Sequence, residues 1–215
     1  MDFGYVVQLR LTGRRAVVFG GGPVAGSRVR DLLEAGAEVT VVTPSPGPHV
    51  DGFDPRVEVL RRAYEPGDLA GAAVAIATGE DDLDAAELWQ ESRTTGTLTS
   101  VLDDIPHCDF AAPAQVRRGD LRLTVSTGGT APALAKRLRQ HLEQELGPEW
   151  ADLVDAVGRA RERALPRTGP FAKWAADWED ALADLDGLVA LAADGQFGAI
   201  HDHVLAHVAA SKATA

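Results

Sequence analysis

The sequence predicts an α/β protein. Its first half reads as a parallel sheet with helices on both faces, followed by a small α+β segment and an all-helical C-terminal region. Three observations lead there. Short apolar runs alternate with helical patterns over roughly the first hundred residues. A triple glycine stands directly between the first apolar run and the first helix. Past residue 131, apolar residues recur at helical spacing almost to the end.

The elements follow in order. Residues 15–19 (RAVVF) read as a short strand buried on both sides, because no polar residue alternates with the apolar ones. Gly20-Gly21-Gly22 follows, then a helix over 24–35, with Gly36 placed to end it. Residues 38–43 (EVTVVT) form the next strand, stopped by Pro44 and Pro46. Strands are expected at 57–60 and 74–77, a helix over about 82–92, and a fifth strand at 98–102. The pattern then changes. Residues 110–117 and 121–127 read as a hairpin turning at Gly119-Asp120, and a helix runs over about 131–146 to Gly147-Pro148. Beyond it, Trp150, Leu153, Val154 and Val157 share one helical face, as do Trp174, Trp178, Leu182 and Leu185, with a break at 166–170. The tryptophans read as core anchors. The expected divisions are 1–112 for the sheet domain, 113–147 for the hairpin and helix, and 148–215 for the helical domain.

Composition bounds the function. The 215 residues are 45% apolar and 25% charged, enough for a sizeable core. A net charge of −11 repels phosphate backbones and argues against nucleic-acid binding. A single cysteine, Cys108, makes neither an intrachain disulfide nor a multi-cysteine metal site. The opening MDFGYVVQLRLTGRR lacks the apolar core of a leader, and no run of about eighteen apolar residues exists to cross a membrane. The cytoplasm is the expected compartment.

The most informative motif is Gly20-x-Gly22-x-x-Ala25. Gly20 permits a tight turn, Gly22 lets the backbone approach a pyrophosphate, and Ala25 lets the helix pack closely on the sheet. The helix N-terminus then presents free N–H groups to the phosphates. With a strand before, a helix after and a second strand following, the motif points to a Rossmann-type dinucleotide domain. The plainer alternative is a tight strand-to-helix turn. The acidic residue that usually ends the second strand is replaced by Thr43, followed by Pro44 and Ser45. Thr43 or Ser45 is the candidate ribose contact. No Arg stands there to meet a 2′-phosphate, which favours NAD over NADP.

Four stretches carry a family resemblance: residues 17–44 (VVFGGGPVAGSRVRDLLEAGAEVTVVTP), 75–82 (AIATGEDD), 102–113 (LDDIPHCDFAAP) and 125–139 (VSTGGTAPALAKRLR). In that order and spacing, the chain resembles the dehydrogenase/ferrochelatase module of siroheme synthase, also found as stand-alone precorrin-2 dehydrogenases. The resemblance covers nearly the whole chain and is strongest from Tyr5 to about Leu146. It implies a Rossmann domain, a central dimerisation segment and a small helical domain, assembled as a homodimer. It implies oxidation of the tetrapyrrole precorrin-2 to sirohydrochlorin with NAD, and in many members insertion of ferrous iron to give siroheme. At 215 residues the chain has no length for the methyltransferase domain that some fused members carry.

The resemblance implies roles for particular residues. Asp103 aligns with the carboxylate the family needs for both reactions, and a fixed carboxylate beside the macrocycle can accept protons in either. Asp104 and, less directly, Asp109 compete for that role, and a structural cap or an Arg partner is the plainer alternative. Gly20, Gly21, Gly22, Pro23, Val24, Ala25, Thr43, Pro44, Thr78 and Ser100 would surround NAD. Ser126, Thr127, Gly128 and Gly129, with Lys136, would receive an anionic group of substrate or cofactor. The alternative for that loop is a helix cap, for which Thr130 is suited. Precorrin-2 is a polycarboxylate, so Arg117, Arg118, Lys136, Arg137 and Arg139 are candidate partners, or ordinary surface charge. Arg28 and Arg30 read as surface charges. No metal site is expected: His107 and Cys108 lack matched ligands, as do His203 and His207 with His201 nearby. Cys108 reads as a small buried residue, with His107 a candidate for assisting proton transfer or iron delivery.

The chain departs from the family pattern near the cofactor. Where relatives commonly have two acids after the fourth strand's Ala-Thr, this chain has Gly79 and Glu80, then Asp81 and Asp82. Ser100 and Asp84 replace asparagines. These departures motivate two alternatives: a non-catalytic dinucleotide- or tetrapyrrole-binding module, and an enzyme performing one reaction only. A generic small-substrate oxidoreductase ranks lower, because the sequence shows no Tyr-Lys or His–acid pair.

Overall fold

The computed structural model describes residues 4–165 and 170–210, with the side chains of 209 and 210 excepted. Among these, five parallel strands form one sheet in the order β3-β2-β1-β4-β5. They are β1 (Arg15–Phe19), β2 (Glu38–Val42), β3 (Glu58–Leu60), β4 (Ala72–Ala77) and β5 (Leu98–Val101). The apolar runs do not alternate because both faces are covered. Ala16 and Val18 of β1 pack with Val39 and Val41 of β2 under α1 (Pro23–Glu34), through Val29, Leu32 and Leu33. Val17 and Phe19 point the other way, with Val42, Ala75, Ala77 and Leu69, under Leu88 of α2 (Ala85–Thr95). Burying a valine, leucine or phenylalanine side chain in this way contributes about 1.5–3 kcal/mol.

Helix ends follow local chemistry. Gly36 ends α1 as expected, with φ of +77°: its N–H bonds Leu33 O and the Ala37 N–H bonds Leu32 O, closing a Schellman motif. The start of α2 lies three residues later than the expected 82. Asp84 sets it there, its carboxylate accepting the N–H groups of Ala86 at 2.8 Å and Glu87 at 3.3 Å. Gly96, at φ +73°, extends the end to Thr95. Strand β4 starts two residues before the expected 74, directly after Gly71.

The chain divides into two compact units between Ala112 and Pro113. The second unit contains the expected hairpin, β6 (Ala114–Arg118) and β7 (Leu121–Val125), antiparallel, then α3 (Pro132–Glu145). It also contains the helices α4 (Glu149–Ala164), α5 (Phe171–Ala181), α6 (Leu185–Ala193) and α7 (Phe197–Ala210). Strand β6 is shorter than the expected 110–117, beginning only after Pro113. Residues 166–169 of the expected break lie outside the described residues. Trp150, Trp174 and Trp178 pack against a core of Leu153, Ala160, Leu188, Ile200 and Val204, the anchoring role read from their spacing.

Candidate functional site: an anion cradle and a free carboxylate

Sheet order reverses between β1 and β4, so the loops following these strands flank the crevice where open α/β sheets bind ligands. The turn after β1 is built for close approach. Gly20 has φ of +134°, and a Cβ there would lie 2.1 Å from the Thr78 hydroxyl. A Cβ on Gly21 would lie 2.3 Å from the Ser45 carbonyl oxygen, and one on Gly26 would lie 2.7 Å from His49. Ala25 is fully buried, as its packing role requires. Gly26 escaped the sequence reading; a second small residue beside Ala25 was the available signal, and it admits the loop over residues 44–50.

Pro23 carries no N–H, so the first turn of α1 offers the N–H groups of Gly22, Val24 and Ala25. All three converge on one carboxylate. Glu80 Oε2 accepts from Gly22 at 3.0 Å and Ala25 at 3.2 Å, and Oε1 accepts from Val24 at 3.1 Å. The Thr78 hydroxyl lies 2.8 Å from Glu80 Oε2 and 3.1 Å from Phe19 O, and can donate to one of them. Burial alone would raise the Glu80 pKa. The Thr78 hydroxyl and the three N–H groups outweigh it and hold the carboxyl below its ordinary value. The cradle thus holds a carboxylate in its ionised form. Three donors that hold a carboxylate also suit a phosphate of a dinucleotide, once Glu80 stands aside.

The other expected cofactor residues divide. Thr43 is fully buried, and its hydroxyl accepts the Ser45 N–H at 3.2 Å; Pro44 and Ser45 are exposed at the strand's end. Of the two ribose candidates, Ser45 is therefore the accessible one. Thr78 is buried, and Ser100 is half-buried on β5 opposite Ile76.

Asp103 lies just past β5, at the same carboxyl edge. It is the one non-glycine residue with positive φ, +60°, among the described residues. The turn is closed by the Asp104 N–H on Val101 O at 3.2 Å. Left-handed backbone at a non-glycine residue costs on the order of 1 kcal/mol and recurs at functional sites. The Asp103 side chain is exposed and makes no hydrogen bond or ion pair among the described residues.

Its two competitors are engaged. Asp104 lies 2.8 Å from His107 Nδ1, so the turn does form the His–acid pair that sequence inspection missed, using a spacing of three on a 3-10 turn (Ile105–His107). Asp109 accepts the Thr99 N–H at 2.9 Å and the Arg93 guanidinium. Burial works against its charge, but Arg93 and Thr99 prevail and depress its pKa. Arg93 in turn lies 3.9 Å over the Trp89 ring, and Trp89 meets His107 edge-on. These contacts clamp the loop carrying Asp103 to α2. Cys108 is half-buried rather than buried as expected, its Sγ taking the Val101 N–H at 3.1 Å.

In the second unit, the loop over 126–130 is ordered by its own side chains. The Ser126 hydroxyl accepts the Gly128 N–H at 3.2 Å, the Thr127 hydroxyl accepts the Ala131 N–H at 3.1 Å, and Gly128 and Gly129 have φ of +59° and +82°. In the alternative reading of this loop as a helix cap, Thr130 does not supply the cap: its hydroxyl donates to Thr127 O at 2.6 Å, and Ala131 occupies the cap position. Lys136 is exposed on α3. The Arg118 guanidinium donates to the carbonyls of Glu143 at 2.6 Å and Leu146 at 2.7 Å, at the end of α3. Arg139 pairs with Glu143. His203 is occupied by Ala181 O at 3.1 Å, and among the described residues no three potential ligands gather to hold a metal. None of the helices described is long and apolar enough to cross a membrane.

Fold and cradle together define an α/β dinucleotide-binding protein. Residues 7–114 match the family described as "Putative NAD(P)-binding", and residues 118–145 match "Sirohaem biosynthesis protein central". The chain belongs to the putative NAD(P)-binding family, with a segment of the sirohaem biosynthesis central type following it. It is 34% identical over 182 residues to siroheme synthase 2 of Aeromonas salmonicida, covering 84% of this chain and 38% of that one. It is 31% identical over 188 residues to siroheme synthase 1 of Serratia proteamaculans, covering 86% and 39%. The chain thus spans under two fifths of these relatives. Among solved structures, SirC, a precorrin-2 dehydrogenase, superposes with a TM-score of 0.71 over 93% of this chain and 99% of that one, at 22% identity.

Proposed function

We propose that the chain oxidises precorrin-2 to sirohydrochlorin with NAD. When bound, NAD supplies the hydride acceptor. The chain's own part is to hold the phosphates on the Gly22, Val24 and Ala25 N–H groups and to take up a proton. Oxidation removes a hydride and a proton from the macrocycle, and Asp103 receives the proton. The observation that carries this is the contrast among the three acids of one loop: Asp104 and Asp109 are engaged, while Asp103 stands free at the carboxyl edge of the sheet.

The same carboxylate suits a second reaction, insertion of ferrous iron as a substrate, in which pyrrole protons must leave. The loop of Ser126, Thr127, Gly128 and Gly129, with Lys136, is the proposed contact for substrate carboxylates. We further propose a cytoplasmic homodimer formed through residues 113–147. In its support, Leu134 and Leu138 of α3 are 53% and 42% exposed, while within the hairpin and helix only Val116 and Ala135 are buried among the apolar residues.

The test is anaerobic incubation of the protein with precorrin-2 and NAD, following NADH, then addition of ferrous iron. Wild-type protein forms NADH and Asp103→Ala does not. NAD binding with no turnover would instead favour the non-catalytic module, a reading to which the acid seated in the cradle lends weight.

A further inference from the structure

The carboxylate of Glu80 sits where an anionic ligand of the cradle would sit. A Cβ placed on Gly22 would lie 2.3 Å from its Oε1, so the glycine's open face is filled by this side chain. Two anions cannot share three N–H donors at hydrogen-bond distance, because like charges so close exclude one another. The dinucleotide and Glu80 are therefore alternatives.

A second observation bears on the same segment. Neighbouring Asp81 has a carboxylate oxygen, Oδ2, that is buried without a hydrogen-bond partner among the described residues. A buried carboxylate oxygen left unmet is costly, so the segment carries an internal reason to leave this arrangement. Gly79, with φ of +68° and open space around its α-carbon, stands where the segment would turn.

We infer that Glu80 is a gate on the cofactor site: its carboxylate stands in for the phosphate in the unliganded protein, and a pyrophosphate-bearing nucleotide binds by displacing it through movement of the segment from Gly79 to Asp81. This rests on the reading of the cradle as the cofactor site. The gate holds the glycine turn and the first turn of α1 in shape before cofactor arrives. It also lowers apparent affinity by the fraction of molecules in which Glu80 is already out. It acts on the phosphates alone, so it discriminates nucleotides by their anion rather than by their base.

The test is calorimetric titration of the full chain and of Glu80→Ala and Glu80→Gln with NAD, ADP and adenosine, together with thermal melting without ligand. Removal of the carboxylate should tighten NAD and ADP binding by about fivefold or more, since a gate open in roughly a tenth of molecules weakens binding about tenfold. Adenosine binding should not change. Unliganded melting temperature should fall in both variants, because the first turn of α1 loses its charged acceptor. Loss of stability with gain of affinity is the signature; a merely structural glutamate would lose both. Unchanged or weaker NAD binding in both variants, with wild type still binding, overturns the gate and leaves the cofactor reading standing. If wild type and both variants fail to bind NAD, the cofactor reading itself falls, and the gate with it.

Discussion

Gly21 and Gly22 are adjacent, both lack a side chain, and should respond in opposite ways to alanine. At Gly21 the new Cβ meets backbone: Ser45 O at 2.3 Å and Ser45 C at 3.0 Å. Real Cβ contacts begin near 3.0 Å, so the loop after β2 must retreat by roughly 0.7 Å. That loop is pinned, since Gly47 N–H bonds Gly21 O at 2.9 Å and Ser45 N–H bonds the Thr43 hydroxyl. Forcing such a shift costs on the order of 1–3 kcal/mol, which for a unit of this size lowers the melting temperature by about 4–12 °C. At Gly22 the Cβ meets only the far end of the Glu80 side chain, not backbone, and the backbone there is extended, at φ −95°. Gly22→Ala should therefore melt within a few degrees of wild type, yet lose nucleotide affinity, because a methyl group now stands in the cradle. Differential scanning calorimetry with NAD titration reads both. Equal melting temperatures for the two variants, or a stable Gly21→Ala, would show that the loop after β2 is not pinned against the glycine turn.

Asp103→Gly should slow NADH formation by about 10²–10⁴-fold, as for a lost general base. The same change should leave stability unchanged or raised by up to about 1 kcal/mol, because glycine adopts φ of +60° without penalty; urea unfolding beside the activity assay checks both. Arg118→Ala, which removes the guanidinium from the carbonyls of Glu143 and Leu146, should destabilise the second unit by about 1–3 kcal/mol. Hydrogen exchange should then rise at the end of α3 and stay unchanged in the sheet. Asp109 has its pKa depressed in the folded state, so its stabilisation is full above the unfolded carboxyl value near 4 and fades as pH falls through the folded value. In Asp109→Asn that acid-dependent loss should be smaller than in wild type, as measured by melting temperature between neutral pH and about pH 3.

The sheet was legible because its strands carry their own signal. Apolar runs without alternation, such as 15–19 and 74–77, can be buried only between two layers, and glycine at 20 and 36 marks where the chain must turn. The start of α2 was misplaced because three acids, Asp81, Asp82 and Asp84, all suit a helix N-terminus, and only the folded chain shows which one caps. The choice among Asp103, Asp104 and Asp109 could not be read from order alone. It depends on which side chains the 3-10 turn and Arg93 engage. Glu80 registered only as a departure from the family pattern. Its place in the cradle depends on the turn at Gly79 and on two strands brought side by side from 58 residues apart. The carbonyls that Arg118 and Thr130 bond are likewise visible only in the folded chain.

Whether this chain couples precorrin-2 oxidation to NAD is read from the stoichiometry of a single turnover. Enzyme in excess, mixed without oxygen with precorrin-2 and NAD, should form one NADH for each sirohydrochlorin, and neither product should form when Asp103 is replaced by alanine. Sirohydrochlorin appearing without NADH, or equal yields from the Asp103→Ala protein, would contradict the account.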